Sequence, residues 1–501
     1  MDAYVFGYNG RGQLSKVAPH SSTQPQRNNI PIPSKSSSNG GIDIIWASWC
    51  DALVATTDPV TGNAQPKLEY FGEGLARSQI AHVTSIKNPL ASKFFGGKFA
   101  AGLRGILEPS GESEQSVTIF GSPETHSPEL EIETFTIGGP CKIQHVVILS
   151  NDSLTVVVSM LLSSNTDTRI TEAESSNNYV LSFANLAEFK TWLQTDTPTV
   201  PLEAASRPYP RFTDFVTNAT TLTALDIDGR VWTWTHDSRY PKTLGRPVDA
   251  QAPSNIPSQV PYLSETKISK IASGGYMTAA LSSDGELYLW GQACPSPDGT
   301  AHQLSIFKDY DPSDARKYPN VTEDGLYIPD TGFDLDLPPP PMAYQPWSPQ
   351  NAQRWARDVA IMRRDGRLPR HPQDPRPLRG EDQDEFVKCV PVRVNGMEGT
   401  ATDVAVGHGH VLVSAEARPP GMPAHFVMRS VLGMGQGEKG QLGVAANSNG
   451  QSQSSSSIPP DFVEELRQVQ TLTPNVLRER KVKAMKCAGW SSWVVVEAQR
   501  V

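Results

Sequence analysis

The string Gly407-His408-Gly409-His410 is the most metal-like feature of the sequence. Two imidazoles can ligate zinc, but a zinc site also needs nearby cysteine or histidine partners. The two histidines align with Gly275 and Met277 of a strand unit that recurs along the chain, which accounts for them without a metal. We therefore expect neither a metal ion nor another cofactor.

The sequence also contains little that indicates a cysteine nucleophile or a phosphate-binding loop. The five cysteines are far apart, no two form a C-x-x-C pair, and Cys50 and Cys487 lie in runs that read as buried strands. The glycine-rich stretches at 10–12 and 433–443 lack the Lys-Ser or Lys-Thr of a phosphate-binding loop. These residues predict a binding protein and not an enzyme, with no catalytic residue.

A repeated unit organises the chain. Residues 215–234 align without a gap with residues 271–290, and the two segments share Ala, Leu, Asp-Gly and a final Trp. Each segment predicts a short apolar strand, an Asp-Gly hairpin turn and a second strand that alternates polar and apolar residues. A repeat of this kind decides the fold class before any single element does.

Weaker copies of the unit begin near residues 45, 95, 143, 404 and 485. The last copy lacks its outer strand, whereas residues 4–14 have the form of that missing strand. Pairing the two would remove the exposed sheet edges of an open array. The sequence therefore predicts an all-β fold: a seven-bladed β-propeller, closed by pairing the N-terminal strand with the C-terminal blade.

Three strand ends have a recognisable form. Residues 6–14 read Phe-Gly-Tyr-Asn-Gly-Arg-Gly-Gln-Leu, residues 289–291 read Leu-Trp-Gly, and residues 434–443 read Met-Gly-Gln-Gly-Glu-Lys-Gly-Gln-Leu-Gly. These motifs resemble the regulator of chromosome condensation repeat family, whose members are seven-bladed propellers. The order of the units, with a long insert after the fifth, resembles the short intracellular members of that family.

Four tryptophans lie in the first and seventh units, which ring closure would make neighbours. Trp46 and Trp493 are expected to pack between blades. Trp49 and Trp490 directly follow the small residue that starts the inner strand. In members that resemble the plant ultraviolet receptor, this place has aromatic and charged residues on one rim of the propeller.

The same rim receives residues from other units. His408 takes this place in the sixth unit, and Lys98 and Tyr276 take the next one. Aromatic side chains on a propeller rim are typical interface anchors. We therefore predict a partner-binding site made of Trp49, Lys98, Tyr276, His408 and Trp490.

The whole chain, residues 1–501, is interpreted as a single propeller domain with long loop insertions. A Pro-rich insertion is predicted over residues 293–400, between blades five and six. Residues 19–40 and 444–460 are rich in Ser with Asn, Pro or Gln, and we predict that both are mobile loops.

Two connectors have a helical pattern. A short helix is predicted over residues 185–194 and another over residues 461–470. In the second, Asp461 and Glu464 have the spacing of a capping box.

The net charge of −9 disfavours direct binding of nucleic acid, which requires neutralisation of phosphates. The best apolar stretch, residues 143–162, is interrupted by Ser-Asn-Asp-Ser and predicts no membrane span. The N-terminus lacks a secretory signal, and the isolated cysteines fit a reducing compartment. We expect a soluble protein of the cytoplasm, the nucleus or both, monomeric before it binds its partner.

These observations favour a non-enzymatic protein-binding scaffold or adaptor. The resemblance implies a protein partner, either in transfer-RNA modification and diphthamide pathways or in chromatin regulation. The alternative is a guanine-nucleotide exchange factor for a small GTPase, for which the resemblance also provides a precedent. Fold alone does not choose between these roles.

Overall fold

The structure is a computed structural model that describes most of the chain. The described residues are 1–14, 41–57, 66–99, 101–110, 114–121, 132–138, 141–161, 176–195, 200, 208–235, 237, 239–292, 304–307, 348–364, 368, 386–419, 421–423, 426–444, 461–469, 472, 477 and 480–497. The predicted loop at 19–40 lies outside them, and so does the predicted loop at 444–460 except for Val444.

The chain forms two compact units. One consists of Met1–Leu304 with Glu385–Val501, and the other of Ser305–Asp384. In the second unit the described α-helix is Pro349–Arg364, here α3, and Ser305–Phe307 form a 3-10 helix. The first unit has two described α-helices, α1 at Arg77–Thr84 and α2 at Leu186–Leu193. None of these helices is long and apolar enough to span a membrane.

Strands make up most of the described part of the first unit. In chain order they are β1 (Asp2–Gly7), β2 (Ile42–Ala47), β3 (Asp51–Thr56), β4 (Lys67–Gly72), β5 (Lys93–Gly97), β6 (Gly102–Pro109), β7 (Gln115–Phe120), β8 (Ile132–Ile137), β9 (Cys141–Ile148), β10 (Leu154–Leu161), β11 (Ser176–Phe183), β12 (Phe212–Thr217), β13 (Thr221–Asp226), β14 (Val231–Thr235), β15 (Ser258–Gln259), β16 (Ile268–Gly274), β17 (Met277–Ser282), β18 (Leu287–Gly291), β19 (Val387–Val390), β20 (Arg393–Val394), β21 (Met397–Glu398), β22 (Thr400–Val406), β23 (His410–Ala417), β24 (Met428–Gln436), β25 (Phe462–Gln468), β26 (Val482–Ala488) and β27 (Ser491–Val496).

These strands form the antiparallel meanders of an all-β propeller. Five separate meanders have the orders β2-β3-β4, β12-β13-β14-β15, β16-β17-β18-β19, β22-β23-β24-β25 and β1-β27-β26. A seven-stranded sheet, β11-β10-β9-β5-β6-β7-β8, contains two further runs of antiparallel strands, joined where β5 and β9 lie parallel at Gly97 and Ile148. The strands β20 and β21 form a small hairpin of their own.

The repeated unit of the sequence has the predicted local structure. The strands β12 to β14 and β16 to β18 pair in the same register, and each first strand has a bulge at the equivalent place. Gly229 and Gly285 occupy the Asp-Gly turns with φ angles of 85° and 90°. Glycine adopts this left-handed conformation without the steric cost that a side chain would add.

The predicted pairing of the two terminal segments is confirmed. The strand β1 pairs antiparallel with β27, from Asp2 opposite Val496 to Gly7 opposite Ser491. One face of this meander packs against β2 and β3, and Phe6 on the other face packs into a cluster with β22 to β24. These two hydrophobic clusters thus lie between the faces of neighbouring sheets, as in other layered β folds.

The end of the predicted 293–400 insertion lies inside the first unit. Residues 387–390 form β19, which pairs with β18 and buries Val387 and Val390. The small hairpin and the first residue of β22 follow before residue 401. The apolar run around Val387 completes a meander edge, so the structure assigns residues 387–400 to the propeller and not to the insertion.

One of the two predicted helices is confirmed and the other is wrong. The helix α2 begins after Asn185, whose side chain accepts a hydrogen bond of 2.9 Å from the amide of Glu188. Residues 462–468 instead form strand β25, which pairs with β24. The open edge of β24 offers hydrogen bonds along a whole strand, and these outweigh the local helical signal.

Candidate functional site

Seven strands share one cavity. A cavity of about 290 Å³ is lined by residues of β2, β5, β9, β12, β16, β22 and β26, and by Lys98 just after β5. We call these the inner strands. The turns that follow them, here the first turns, contain residues 48–50, 98–99, 149–153, 218–220, 275–276, 407–409 and 489–490.

Hydrogen bonds join several neighbouring first turns to one another. The amide of one turn donates to a carbonyl oxygen of the next, so backbone and not flexible side chains sets their spacing. The pairs are Trp49 to Lys98 at 3.0 Å, Ala219 to Gly275 at 2.7 Å and His408 to Gly489 at 2.7 Å. The hydroxyl of Ser150 also donates to the carbonyl oxygen of Ala219 at 2.6 Å.

Three of the predicted site residues meet in one group. The rings of Trp49 and Trp490 have centroids 4.2 Å apart, and the His408 ring lies 6.2 Å from Trp49 and 5.7 Å from Trp490. Tyr8 completes the group, at 6.4 Å from Trp49 and 6.0 Å from Trp490. We call Tyr8, Trp49, His408 and Trp490 the aromatic cluster.

Tyr8 was not among the predicted site residues. Its amide donates a hydrogen bond to the carbonyl oxygen of Trp490, and its own carbonyl oxygen accepts bonds from Ser491 and Gln13. The signal for it was present in the sequence, because the Phe-Gly-Tyr motif ends β1 and the pairing of β1 with β27 brings it beside Trp490.

Lys439 was missed for a similar reason. Its ammonium group lies 5.9 Å from the centroid of the Trp490 ring, within the range of a cation–π contact. Lys439 belongs to the glycine-rich motif at 434–443, which supports the family resemblance in the sequence and was not predicted to be part of the site. It adds a positive charge at the side of the aromatic cluster.

The four tryptophans of the first and seventh repeat units fall into two classes by their exposure to solvent. Trp46 and Trp493 are 8% and 4% exposed, so the prediction that they pack in the core is confirmed. Trp49 and Trp490 are half-buried, and Tyr8 is 36% exposed. The aromatic cluster therefore keeps part of its ring surface open to solvent.

A buried carboxylate fixes the turn on which Trp49 lies. Asp51 accepts hydrogen bonds from Trp46 Nε1 at 2.8 Å, Ser48 Oγ at 2.5 Å and the Tyr70 hydroxyl at 3.0 Å. It also accepts the amide of Leu103 in β6 at 2.9 Å, which ties the first turn to the next run of strands. Burial and the neighbouring carboxylate raise the pKa of Tyr70, so its hydroxyl stays a donor.

The histidines of the Gly-His-Gly-His string have different surroundings. The ring of His408 lies in the aromatic cluster, and burial lowers its pKa. His410 is fully buried, its Nε2 lies 3.0 Å from the Ser492 hydroxyl, and burial lowers its pKa to about 4. The predicted alignment of His410 with Met277 is confirmed, because each begins the second strand of its meander.

The half-buried cysteines next to this region are not activated. Burial, followed by the charge of Asp51, raises the pKa of Cys50 to about 11. Burial raises that of Cys487 to about 12. Because the thiolate is the reactive form, neither side chain is poised as a nucleophile near neutral pH.

The structure places Tyr276 in a different group. Its ring lies 5.0 Å from that of Tyr240, and the Arg239 guanidinium lies 5.6 Å from the Tyr240 centroid. Tyr276 lies in the first turn after β16, and its ring lies against that of Tyr240.

Lys98 meets the aromatic cluster only through its backbone. Its carbonyl oxygen accepts the amide of Trp49, whereas its side chain lines the cavity between the inner strands. Burial lowers the pKa of Lys98, and the charge of Asp214 partly offsets that effect.

No family model matches the chain, and no curated protein does. Among solved structures, Prp20p from Saccharomyces cerevisiae, reported with its binding properties to Gsp1p and histones, is similar with a TM-score of 0.46 and 12% identity. That comparison covers 100% of this chain and 92% of that one. Yeast RCC1 (Prp20) bound to Kap60 is similar with a TM-score of 0.44 and 12% identity, and that comparison covers 100% of this chain and 89% of the other. Human WBSCR16 is similar with a TM-score of 0.44 and 12% identity, and that comparison covers 100% of this chain and 99% of the other. Scores and identities this low support no inference about partner or activity. The chain is similar to these proteins, and its all-β propeller fold rests on its own strand order.

Proposed function

We propose that the chain is a non-enzymatic protein-binding scaffold and that the aromatic cluster anchors its partner. The observation that supports this most directly is the contact of Trp49 with Trp490 at 4.2 Å, with both rings half-buried. Tryptophan and tyrosine are the residues most enriched among interface hot spots, because they bury large areas with few rotatable bonds.

The backbone of the cluster supports the same proposal. Trp49 and His408 are each held by a main-chain hydrogen bond to a neighbouring first turn, and Tyr8 is held by one to Trp490. The backbone that carries these side chains is therefore already ordered, which lowers the entropy cost of binding a partner. This ordered aromatic surface, with Lys439 at its side, can bind an apolar or aromatic side chain of a partner protein.

We also propose that the propeller is a closed ring of seven blades of the regulator of chromosome condensation type. The two antiparallel runs in the seven-stranded sheet would count as separate blades, which with the five meanders gives seven. The supporting contacts include the hydrogen bonds between first turns, the parallel pair at Gly97 and Ile148, and the proximity of Gly489 to Trp49. Seven inner strands around one cavity agree with this count.

The test compares partners captured from native cells by the wild type and by the double variant Trp49→Ala with Trp490→Ala. A stoichiometric partner of the wild type should bind the variant at least about 30-fold more weakly, equivalent to about 2 kcal/mol for one hot spot. The control is Leu90→Ala with Met422→Ala, which removes two exposed apolar side chains outside the cluster. Equal binding by all three proteins would exclude the cluster as the anchor.

Guanine-nucleotide exchange is the alternative, and the same capture distinguishes it. A captured small GTPase that binds best without nucleotide, and whose nucleotide release the chain accelerates, would favour exchange over passive scaffolding. A partner whose binding does not respond to nucleotide would favour the scaffold.

A further inference from the structure

The cavity between the inner strands has a charged wall. The ionisable side chains that line it include Lys98, His145, Asp214, Lys270 and Lys486. Burial, followed by the charge of Lys93, lowers the pKa of His145 to about 3, so this ring is neutral near pH 7. Among the Lys and Asp residues of the lining, three positive charges therefore face one negative charge, in a chain whose net charge is −9.

One of the three lysines, Lys270, forms an ion pair with a carboxylate that does not line the cavity. The ammonium group of Lys270 forms an ion pair with Asp403, whose second carboxylate oxygen accepts the amide of Met485 at 3.0 Å. Asp403 is thus held by Lys270 and by the Met485 amide, and its carboxylate neutralises the charge of Lys270. This leaves Lys98 and Lys486 facing Asp214.

Lys486 has no comparable compensation. Its ammonium group donates to the carbonyl oxygen of Ile45 at 3.2 Å, which satisfies a hydrogen bond but brings no negative charge. Burial and repulsion from Lys98 and Lys270 lower its pKa to about 8, and the attraction of Asp214 and Asp43 does not offset them. The Lys486 side chain is exposed to solvent where it lines the cavity, so an anion from solution can reach it.

Lys98 lines the same cavity and is half-buried there. Of the hydrogen bonds and ion pairs among the described residues, its side chain makes none, and its attraction to Asp214 is outweighed by burial. The ammonium groups of Lys98 and Lys486, with that of Lys270 nearby, provide several hydrogen-bond donors around one cavity. An anion placed there would supply the charge that the lysines lack and would accept charge-assisted hydrogen bonds.

We propose that this cavity binds a small oxyanion, a molecule with phosphate or carboxylate groups, through Lys98 and Lys486 with Lys270 at its side. The volume of about 290 Å³ lies at the lower end of small-molecule pockets, which suits a compact ligand. The site is separate from the aromatic cluster, so this proposal does not depend on the proposed scaffold function.

The experiment is calorimetric titration of the full chain with pyrophosphate and, separately, with citrate. Binding of one anion per chain with a dissociation constant below about 1 mM is the expected result. Lys98→Gln and Lys486→Gln should each weaken it by about tenfold or more, since each removes a charged hydrogen bond. Preference for pyrophosphate would identify phosphate as the recognised group, and preference for citrate would identify carboxylate.

Two controls keep the result specific. Lys483→Gln removes the same charge from the same strand, β26, but Lys483 pairs with Glu497 and does not line the cavity. It should bind as the wild type does. Lys98→Arg keeps the charge and should retain most of the affinity, and thermal melts without anion should show each variant folded.

The proposal is overturned if neither anion binds the wild type, or if Lys483→Gln loses as much affinity as the cavity variants. A hexaglutamate peptide serves as a further probe. Binding of that peptide without binding of either small anion would assign the cavity to an acidic protein segment and would also overturn the proposal.

Discussion

The amide of Tyr8 donates a 2.9 Å hydrogen bond to the carbonyl oxygen of Trp490, one residue beyond the last pair of β1 and β27. The two side chains then meet edge to face, with ring centroids 6.0 Å apart. The strand register that joins the two segments therefore also assembles the aromatic cluster. A change that disturbs this pairing is expected to affect both stability and binding.

Deleting residues 1–14 should destabilise the propeller. The deletion removes the buried side chains of Val5 and Phe6, at about 2 kcal/mol each, and exposes the edge of β27. We expect a lower melting temperature and aggregation in size-exclusion chromatography. Deleting residues 19–32, within the predicted loop, is the control and should have little effect. A truncated protein that melts at the wild-type temperature as a soluble monomer would contradict the role of β1.

Replacing residues 305–384 with a short Gly-Ser linker should leave the propeller folded. These residues form a compact unit of their own, and the cost of closing a flexible loop grows only slowly with its length. Circular dichroism should retain the β-rich spectrum, and urea unfolding should stay cooperative. Loss of cooperative unfolding would mean that this unit completes the propeller core.

The two classes of tryptophan should differ in what they contribute to folding. Trp49→Ala with Trp490→Ala should cost less than about 2 kcal/mol in the free energy of unfolding, because both rings are half-buried. Trp493→Ala, at a site that is 4% exposed, should cost about 3–5 kcal/mol through the cavity it leaves. Urea melts measure both. Similar losses for the two variants would make the cluster part of the core.

Asp51→Ala should be among the most damaging single substitutions. It leaves four buried donors without their acceptor, and each such group costs about 1–3 kcal/mol. We expect a loss of at least about 3 kcal/mol and weaker partner binding, since the turn that holds Trp49 is released. The exposed Asp43→Ala is the matched control in the same meander. Equal urea midpoints for the two variants would refute the structural role of Asp51.

Stability should fall as the pH drops below about 6.5, and His410 should contribute to the fall. Its pKa is about 4 in the folded chain and about 6.5 when unfolded, so the unfolded state binds the extra proton between these values. Its stabilising contribution is complete above pH 6.5 and is lost toward pH 4, by up to about 3 kcal/mol. Urea melts at several pH values should show a smaller slope for His410→Gln. An unchanged slope would contradict the buried neutral state.

The sequence predicted the repeated strands well because their signals are local. The Asp-Gly turns at Gly229 and Gly285 and the alternating second strands depend on neighbouring residues only. The strand β25 shows where such signals end. Its Asp461 and Glu464 have capping-box spacing, but pairing with β24 decided its structure, and that partner lies 26 or more residues earlier in the chain.

The candidate site was predicted in part for a related reason. Position within the repeat correctly brought Trp49, His408 and Trp490 to the first turns, where the structure joins them. Position within the repeat does not determine which turns are neighbours or where a side chain points. Tyr276 therefore joins Tyr240, and the Lys98 side chain enters the cavity.

The pairing of β1 with β27 also sets an order of events during translation. The ribosome must add more than 480 residues after Gly7 before the partner strand exists, which takes about 25 to 100 seconds at usual rates of synthesis. Throughout that interval β1 lacks the neighbour it has in the finished fold, and chaperones have time to hold it. Tyr8 and Trp49 meet Trp490 only once β27 has been synthesised, so the aromatic cluster does not form before then.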